Sequence, residues 1–159
     1  MKLFCIVIGL LVLMHSHAQT SFKLTDTTFS VGQEYQLHPI RVSECYGFYM
    51  EPESSLLLDS IANWLKQYPE IIIEIGVHSD SRGSTQNNRL WTLKKAELIK
   101  RFLLERGVNH NQLTCKGYGE DQPIVPEEDI QAFKSDKRQF EMMHQQNRRE
   151  LLIITAISQ

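Results

Sequence analysis

The chain has 159 residues, of which 42% are hydrophobic and 23% charged, with a formal net charge of -2. That composition is globular and the length suits one domain. The balanced charge excludes the basic face that nucleic acid needs, and no polybasic run suits adsorption to an anionic membrane.

The chain opens on MKLFCIVIGLLVLMHSHAQT: one early cation at Lys2, an apolar run from Leu3 to Met14, then Ser16, His17 and Ala18. Small residues at Ser16 and Ala18 fit a signal-peptidase site, so residues 1–18 are expected to be removed before Gln19. As a helix the apolar run would reach only about 18 Å at about 1.5 Å per residue, short of a hydrocarbon core of about 30 Å. Cys5 lies near the start of the run, too early for lipid acylation. The expectation is an exported chain with no anchor of its own. Cys45 and Cys115 would then meet an oxidising compartment. A bridge between them would close a loop of about 70 residues, worth about 4 kcal/mol. It needs Cα atoms within about 7 Å, and two free, partly buried thiols are the expectation.

Residues 19–32 are rich in Ser and Thr and are expected to be extended or loosely attached to a domain spanning 33–159. In EYQLHPIRV, Tyr35, Leu37, Ile40 and Val42 flank Pro39. This reads as an edge strand, because proline cannot donate to a ladder. CYGFYMEPES is a linking loop. A helix follows, with Leu57, Ile61, Trp64, Leu65 and Tyr68 at helical spacing and Pro69 as its stop. EIIIEIGV is short, β-branched and apolar almost throughout, as a strand covered on both faces should be. From Ser84 to Arg106 runs a long helix with Ala96, Ile99, Phe102 and Leu103 on one stripe, ended at Gly107. NQLTCKGYGE is a strand running into a glycine turn, and ELLIITAI is a last buried strand. Between Pro126 and Gln146, Ile130, Phe133, Phe140 and Met143 give a weak helical stripe. Glu127, Glu128 and Asp129 suit the start of such a helix. No internal repeat appears. Helices placed between strands imply crossovers and a sheet with helices packed on it.

The chemistry concentrates after the apolar strand, in HSDSRGSTQNNRLWTLKKAE. Asp80 falls at the carboxyl end of that strand, where open α/β sheets usually bind ligands. Asn88, Thr92 and Lys95, spaced four and then three apart, share one helix face. Lysine is long and helical side chains lean toward the N-terminus, so its ammonium can approach the Asp80 end. Backbone N–H groups of the first turn add a positive pole. One fixed anion, one cation and two neutral hydrogen-bonding groups suit a zwitterion with an ammonium and a carboxylate on one carbon. They suit neither a bare phosphate nor a metal. The alternative is structural: Asp80 caps the turn, Asn88 and Thr92 face solvent, and Lys95 makes a loose surface pair worth about 0–1 kcal/mol.

IEIGVHSDSRGSTQNNRLWTLKKAELIKRFLLERGV, then KGYGEDQPIV, then NRRELLII, resembles the C-terminal domain of the OmpA-like proteins. As an ordered set these motifs are specific, although each alone would be weak. The family's His-Thr-Asp, Gly, Asn, Leu-Ser and Arg-Ala pattern falls on His78-Ser79-Asp80, Gly83, Asn88, Trp91-Thr92 and Lys95-Ala96. Its Gly-Tyr-Gly-Glu falls on Gly117 to Glu120, and its Asn-Arg-Arg on Asn147, Arg148 and Arg149. Element order and resemblance together predict an α/β, two-layer βαβαββ sandwich. It has a mixed four-stranded sheet, two main helices on one face and an extra helical segment before the last strand.

The resemblance implies non-catalytic, non-covalent binding of peptidoglycan on the periplasmic, outer-membrane side of the envelope. In the family an aspartate takes the ammonium, and an arginine the carboxylate, of the free α-centre of diaminopimelate in the stem peptide. Asp80 carries over directly. The arginine does not, because Lys95 stands in its place. Arginine offers a planar fork for two parallel bonds to a carboxylate, whereas lysine is a hydrated point charge. Binding is expected to persist at a cost of about 1–2 kcal/mol. Asn88 and Thr92 complete the expected site, with Ser79, Gly83, Arg148 and Arg149 at its margin. Arg148 and Arg149 are equally candidates for pairing with the acids at Glu120 and Asp121. Trp91, where the family has leucine, is expected to plug the core.

No cofactor or metal is expected. His38, His110 and His144 show no ligand pairing and read as surface or loop residues. KGYGE lacks the spacing of a dinucleotide fingerprint, and Gly117 and Gly119 read as turn residues. His78, Ser79 and Asp80 are adjacent, so in an extended chain their side chains alternate in direction and cannot line up for hydrolysis. Two other readings remain: a scaffold that binds an outer-membrane protein through the extra segment, and a cell-wall hydrolase.

Overall fold

A computed structural model describes residues 20–43 and 49–158. The expected leader, its cleavage point, Cys5 and Cys45 lie outside the described residues. Cys115 carries a free, half-buried thiol. Among the described residues no helix is long and apolar enough to cross a membrane.

The elements run β1 (Glu34–Gln36), β2 (Val42–Ser43), β3 (Tyr49–Met50), α1 (Pro52–Gln67), β4 (Ile71–His78), α2 (Thr85–Glu105), β5 (Leu113–Gly119), α3 (Glu127–Ala132), α4 (Lys137–Asn147) and β6 (Arg149–Ile157). The main sheet has four strands in the order β1-β6-β4-β5. β5 lies parallel to β4, and β6 is antiparallel to both β4 and β1. It is the mixed α/β sheet expected. The parallel β4–β5 pair exists because α2 carries the chain back across the sheet. β1 stops before Pro39, and the edge strand read through that proline splits into β1 and the separate β2–β3 pair.

Alternation decides which face is the core. Ile71, Ile73, Ile75 and Val77 of β4 join Leu152 and Ile154 of β6, all at or below 2% exposure, against Leu58, Ile61 and Leu65 of α1 and Ala96, Ile99 and Leu103 of α2. The other face of β4 is less covered than its composition suggests, for Ile72 and Glu74 are only half-buried. Only its last four residues are covered on both sides. Helices pack on one face alone, and Tyr118, 3.1 Å from where a Cβ of Gly76 would stand, covers the other near the strand's end.

Two further contacts set the frame. Gln112 Nε2 lies 3.0–3.1 Å from the carbonyls of Leu65, Tyr68 and Ile71, tying the end of α1 to the start of β4. Gly117 is not a turn residue. A Cβ there would stand 2.2 Å from Leu93 N, so the glycine lets the α2 backbone lie directly on β5. Gly119, at φ 57, does turn the chain. The segment before β1 is not loose either. Phe22 is buried, stacks on Trp64 at 5.2 Å and meets Phe29 edge-on at 5.9 Å. Burial of aromatic surface outweighs the polar composition of its neighbours.

Candidate functional site at the carboxyl end of β4

Beyond His78 the chain leaves the sheet, with Ser79 N donating to Gly119 O at 2.8 Å. Asp80 closes the following turn by accepting from Arg82 N at 3.1 Å. Gly83 has φ 106, a conformation that L side chains rarely adopt. Ser84, not Asp80, caps α2, accepting from Asn87 N at 3.2 Å.

Asn88 and Thr92 face inward, not to solvent. Asn88 Nδ2 donates to Asp80 O at 3.2 Å and to the Glu120 carboxylate. Thr92 Oγ1 donates to Asn88 O at 2.7 Å and accepts from Gly119 N at 3.0 Å. This second contact depends on the close approach at Gly117. The family-like positions Asp80, Asn88, Thr92 and Glu120 are thus joined by one hydrogen-bonded network.

Asp80 is 6% exposed, yet its carboxylate is richly paired. Arg82 donates to Oδ2 through Nη2 at 2.6 Å and Nε at 3.1 Å. Arg148 donates to the same oxygen through Nη1. Burial alone would push the Asp80 carboxyl up, but the Arg82 side chain and backbone and the Arg148 side chain together hold it below its ordinary value. Arg82 is raised in turn, first by its bond to Asp80.

Lys95 is placed differently from the expectation. Its ammonium donates to Glu150, and the bases on the Asp80 carboxylate are Arg82 and Arg148. The reason is topological. β6 lies beside β4 with Glu150 opposite Val77, on the face that α2 covers. An acid distant in sequence thereby reaches the lysine under its own helix.

The two arginines of NRR divide. Arg148 meets Asp80 and Glu141, whereas Arg149 donates to Gln122 O at 3.0 Å and Asn147 O at 3.4 Å, with burial lowering its pKa. Glu120 and Asp121 pair elsewhere: Thr85 Oγ1 donates to Glu120 at 2.7 Å, and Arg89 to Asp121 at 3.0 Å. Asn147 immediately precedes the two arginines. Its Oδ1 accepts from Ile124 N at 2.8 Å and Val125 N at 2.9 Å, pinning the end of α4 to that loop.

Three residues missed by sequence reasoning shape this corner. Arg82 was visible two places after Asp80. Glu141 and His144 come from α4, and their only signal was the weak stripe of that segment. His38 and His110 are exposed as expected, but His144 is 1% exposed, with Nδ1 3.9 Å from Asp80 Oδ2 and its ring edge-on to Phe140 at 4.5 Å. α4 folds back over Asp80, which buries it. Trp91 is the converse correction. It is 55% exposed, with Lys94 Nζ 5.0 Å above its ring. At about 100° per residue it lies a quarter-turn off the row Asn88, Thr92, Ala96, Ile99 that α2 buries. Ser79 Oγ and both nitrogens of His78 are buried without hydrogen bonds, and the His78 ring stacks on Tyr118 at 4.5 Å.

A family model described as the OmpA family matches residues 48–137. The chain belongs to the OmpA family. This OmpA-family domain is 30% identical over 86 residues to the peptidoglycan-associated lipoprotein of Rhizobium meliloti (strain 1021), covering 54% of this chain and 49% of that one. It therefore spans about half the length of that curated relative. The crystal structure of the peptidoglycan-associated lipoprotein from Burkholderia pseudomallei superposes with a TM-score of 0.54 at 28% identity, covering 65% of this chain and 79% of that one. The C-terminal domain of Helicobacter pylori MotB, residues 125–256, has a TM-score of 0.55 at 20% identity over 68% and 76% of the two chains, a likeness of fold. The mixed sheet with helices is the architecture of these relatives.

Proposed function

We propose that the domain binds peptidoglycan reversibly and without catalysis, through the free α-centre of diaminopimelate in the stem peptide, on the periplasmic side of the envelope. The observation that carries this reading is the buried Asp80 carboxylate at the sheet's rim, flanked by bases that remain partly exposed: 48% for the Arg82 side chain and 32% for Arg148. Its charge is kept by depression of its pKa, so an ammonium finds a fixed anion there. The names of the relatives, peptidoglycan-associated lipoproteins, support the ligand class.

In this reading Asp80 takes the ligand ammonium. Asn88 and Thr92 hold the wall of the site rigid, and Gly83 allows the turn that opens it, with Ser79 and Arg149 at its edge. Lys95, 34% exposed, keeps its bond to Glu150 and offers its remaining N–H donors to the carboxylate of the same α-centre. Hydrolysis is disfavoured chemically, because Ser79 Oγ makes no hydrogen bond to a base and the His78 ring is engaged with Tyr118.

The test is co-sedimentation with purified sacculi, with Asp80→Ala alongside. Wild type should pellet and release no soluble fragments, and Asp80→Ala should stay in solution. Equal pelleting of the two proteins would end the assignment of the site, and solubilised muropeptides would favour a hydrolase.

A further inference from the structure

Arg82 and Arg148 do more than hold Asp80. Both also reach Glu141 of α4: Arg82 Nη1 donates to Oε2 at 2.9 Å, and Arg148 Nη2 to Oε1 at 2.6 Å. The result is a ring of alternating charge, Asp80–Arg82–Glu141–Arg148, whose two acids differ sharply in environment. The Asp80 side chain is 7% exposed and that of Glu141 53%. The guanidiniums therefore converge at the solvent edge on a carboxylate that the chain itself supplies.

That geometry, two guanidiniums from separate elements on one carboxylate, recognises carboxylates generally. An external carboxylate can take the same donors if Glu141 gives way. The exchange conserves charge, since one ion pair breaks as another forms. Glu141 moves to water without first having to be rehydrated from a buried place, because it is already half exposed. Asp80 keeps its arginines instead, being largely buried, and they hold Oδ2, so that Oδ1, which accepts from the Arg82 backbone, is the oxygen left to meet an ammonium.

We propose that Arg82 and Arg148 form a carboxylate subsite which Glu141 itself fills, so that Glu141 sets how tightly the Asp80 corner takes carboxylate-bearing ligands. For its natural ligand this rests on the peptidoglycan reading above. A stem peptide offers more than one carboxylate within reach: those free on diaminopimelate and the α-carboxylate of the preceding γ-linked glutamate.

Glu141→Gln in the full chain keeps size and hydrogen bonding but removes the charge. First, the Nε–H signals of Arg82 and Arg148 are followed by NMR while acetate replaces chloride at constant ionic strength. They should shift saturably in the variant at acetate concentrations that leave wild type unmoved. An equal response in the two proteins overturns the subsite, whatever muropeptides do. Second, calorimetry with an N-acetylmuramoyl tripeptide should show the variant binding about two- to fivefold tighter, the scale of one half-exposed ion pair. A gain that vanishes when the glutamate carboxylate is amidated assigns the subsite to that group, and a gain that survives assigns it to diaminopimelate. Weaker binding by the variant would make Glu141 a strut for the arginines and overturn the proposal. If neither protein binds muropeptide while the acetate response differs, the peptidoglycan reading fails and the subsite stands.

Discussion

Asp80 and Glu150 are both buried acids near the carboxyl end of β4, each 6% exposed, so desolvation burdens them alike. They differ in the bases they meet. Asp80 has two arginines and a backbone N–H, and those arginines lean outward on Glu141. Glu150 has the single ammonium of Lys95. Guanidiniums can serve two acids at once because their donors diverge in a plane, whereas an ammonium concentrates its charge at one point. The first corner is therefore a network of four charges, and the second is a single pair.

The contrast is broken most severely at Asp80. Asp80→Ala should lower muropeptide affinity by at least about a hundredfold, roughly 3 kcal/mol for loss of a charged partner, as read by calorimetry. Comparable binding by the variant would mean that the arginine corner is structural only.

Acid titration sharpens the comparison once a background is removed. Burial lowers the His78 pKa to about 4. Its unfolded value is about 6.5. Between those values the unfolded chain takes up a proton that the folded one refuses, so stability falls as pH drops from about 6.5 to about 4, by on the order of 2–3 kcal/mol. His78→Phe, which keeps a ring on Tyr118, should flatten that limb in thermal melts. The limb that remains at lower pH belongs to the depressed carboxylates, Asp80 with Glu127 and Glu141. Their folded pKa values are lowered, so their contribution is complete above the ordinary carboxylate range and is lost only as pH falls through the folded values. A limb that persists in His78→Phe would assign it to another group.

On the other side, Lys95→Met keeps the side-chain stem but leaves the Glu150 carboxylate buried without its ammonium. Denaturant unfolding should show a loss of about 2 kcal/mol. The double variant Lys95→Met/Glu150→Gln should recover most of it. No recovery would mean that the pair contributes through packing rather than charge.

The smallest change is Lys95→Arg. Restoring a planar fork at this position should tighten muropeptide binding by about 1–2 kcal/mol. Equal affinities would leave the carboxylate to other bases, Arg82 and Arg148 being nearest to Asp80.

Local patterns carried the elements well where one principle governed them. Ser84, the Ala96–Ile99–Leu103 stripe and Gly107 marked α2 nearly to its ends, because caps and helical period act within a few residues. The placing of Asp80, Gly83, Asn88 and Thr92 together was legible, because they sit on one turn and one helix. It was not legible at Lys95, because the acid that takes its ammonium, Glu150, lies 55 residues away in sequence. Trp91 and His144 went opposite ways for a related reason. Apolarity predicts burial only if the residue falls on the buried row, and a polar ring is buried wherever a neighbouring helix folds over it.

From its residues alone this chain determined its helices and strands, their order, and a family whose motifs mark one acid at the end of one strand, since those depend on spacing along the backbone. The tertiary structure decided which base each acid would meet. Ion pairing depends on distance in space, and β6 and α4, far along the chain, bring Glu150 to Lys95 and Arg148 and Glu141 to the Asp80 corner.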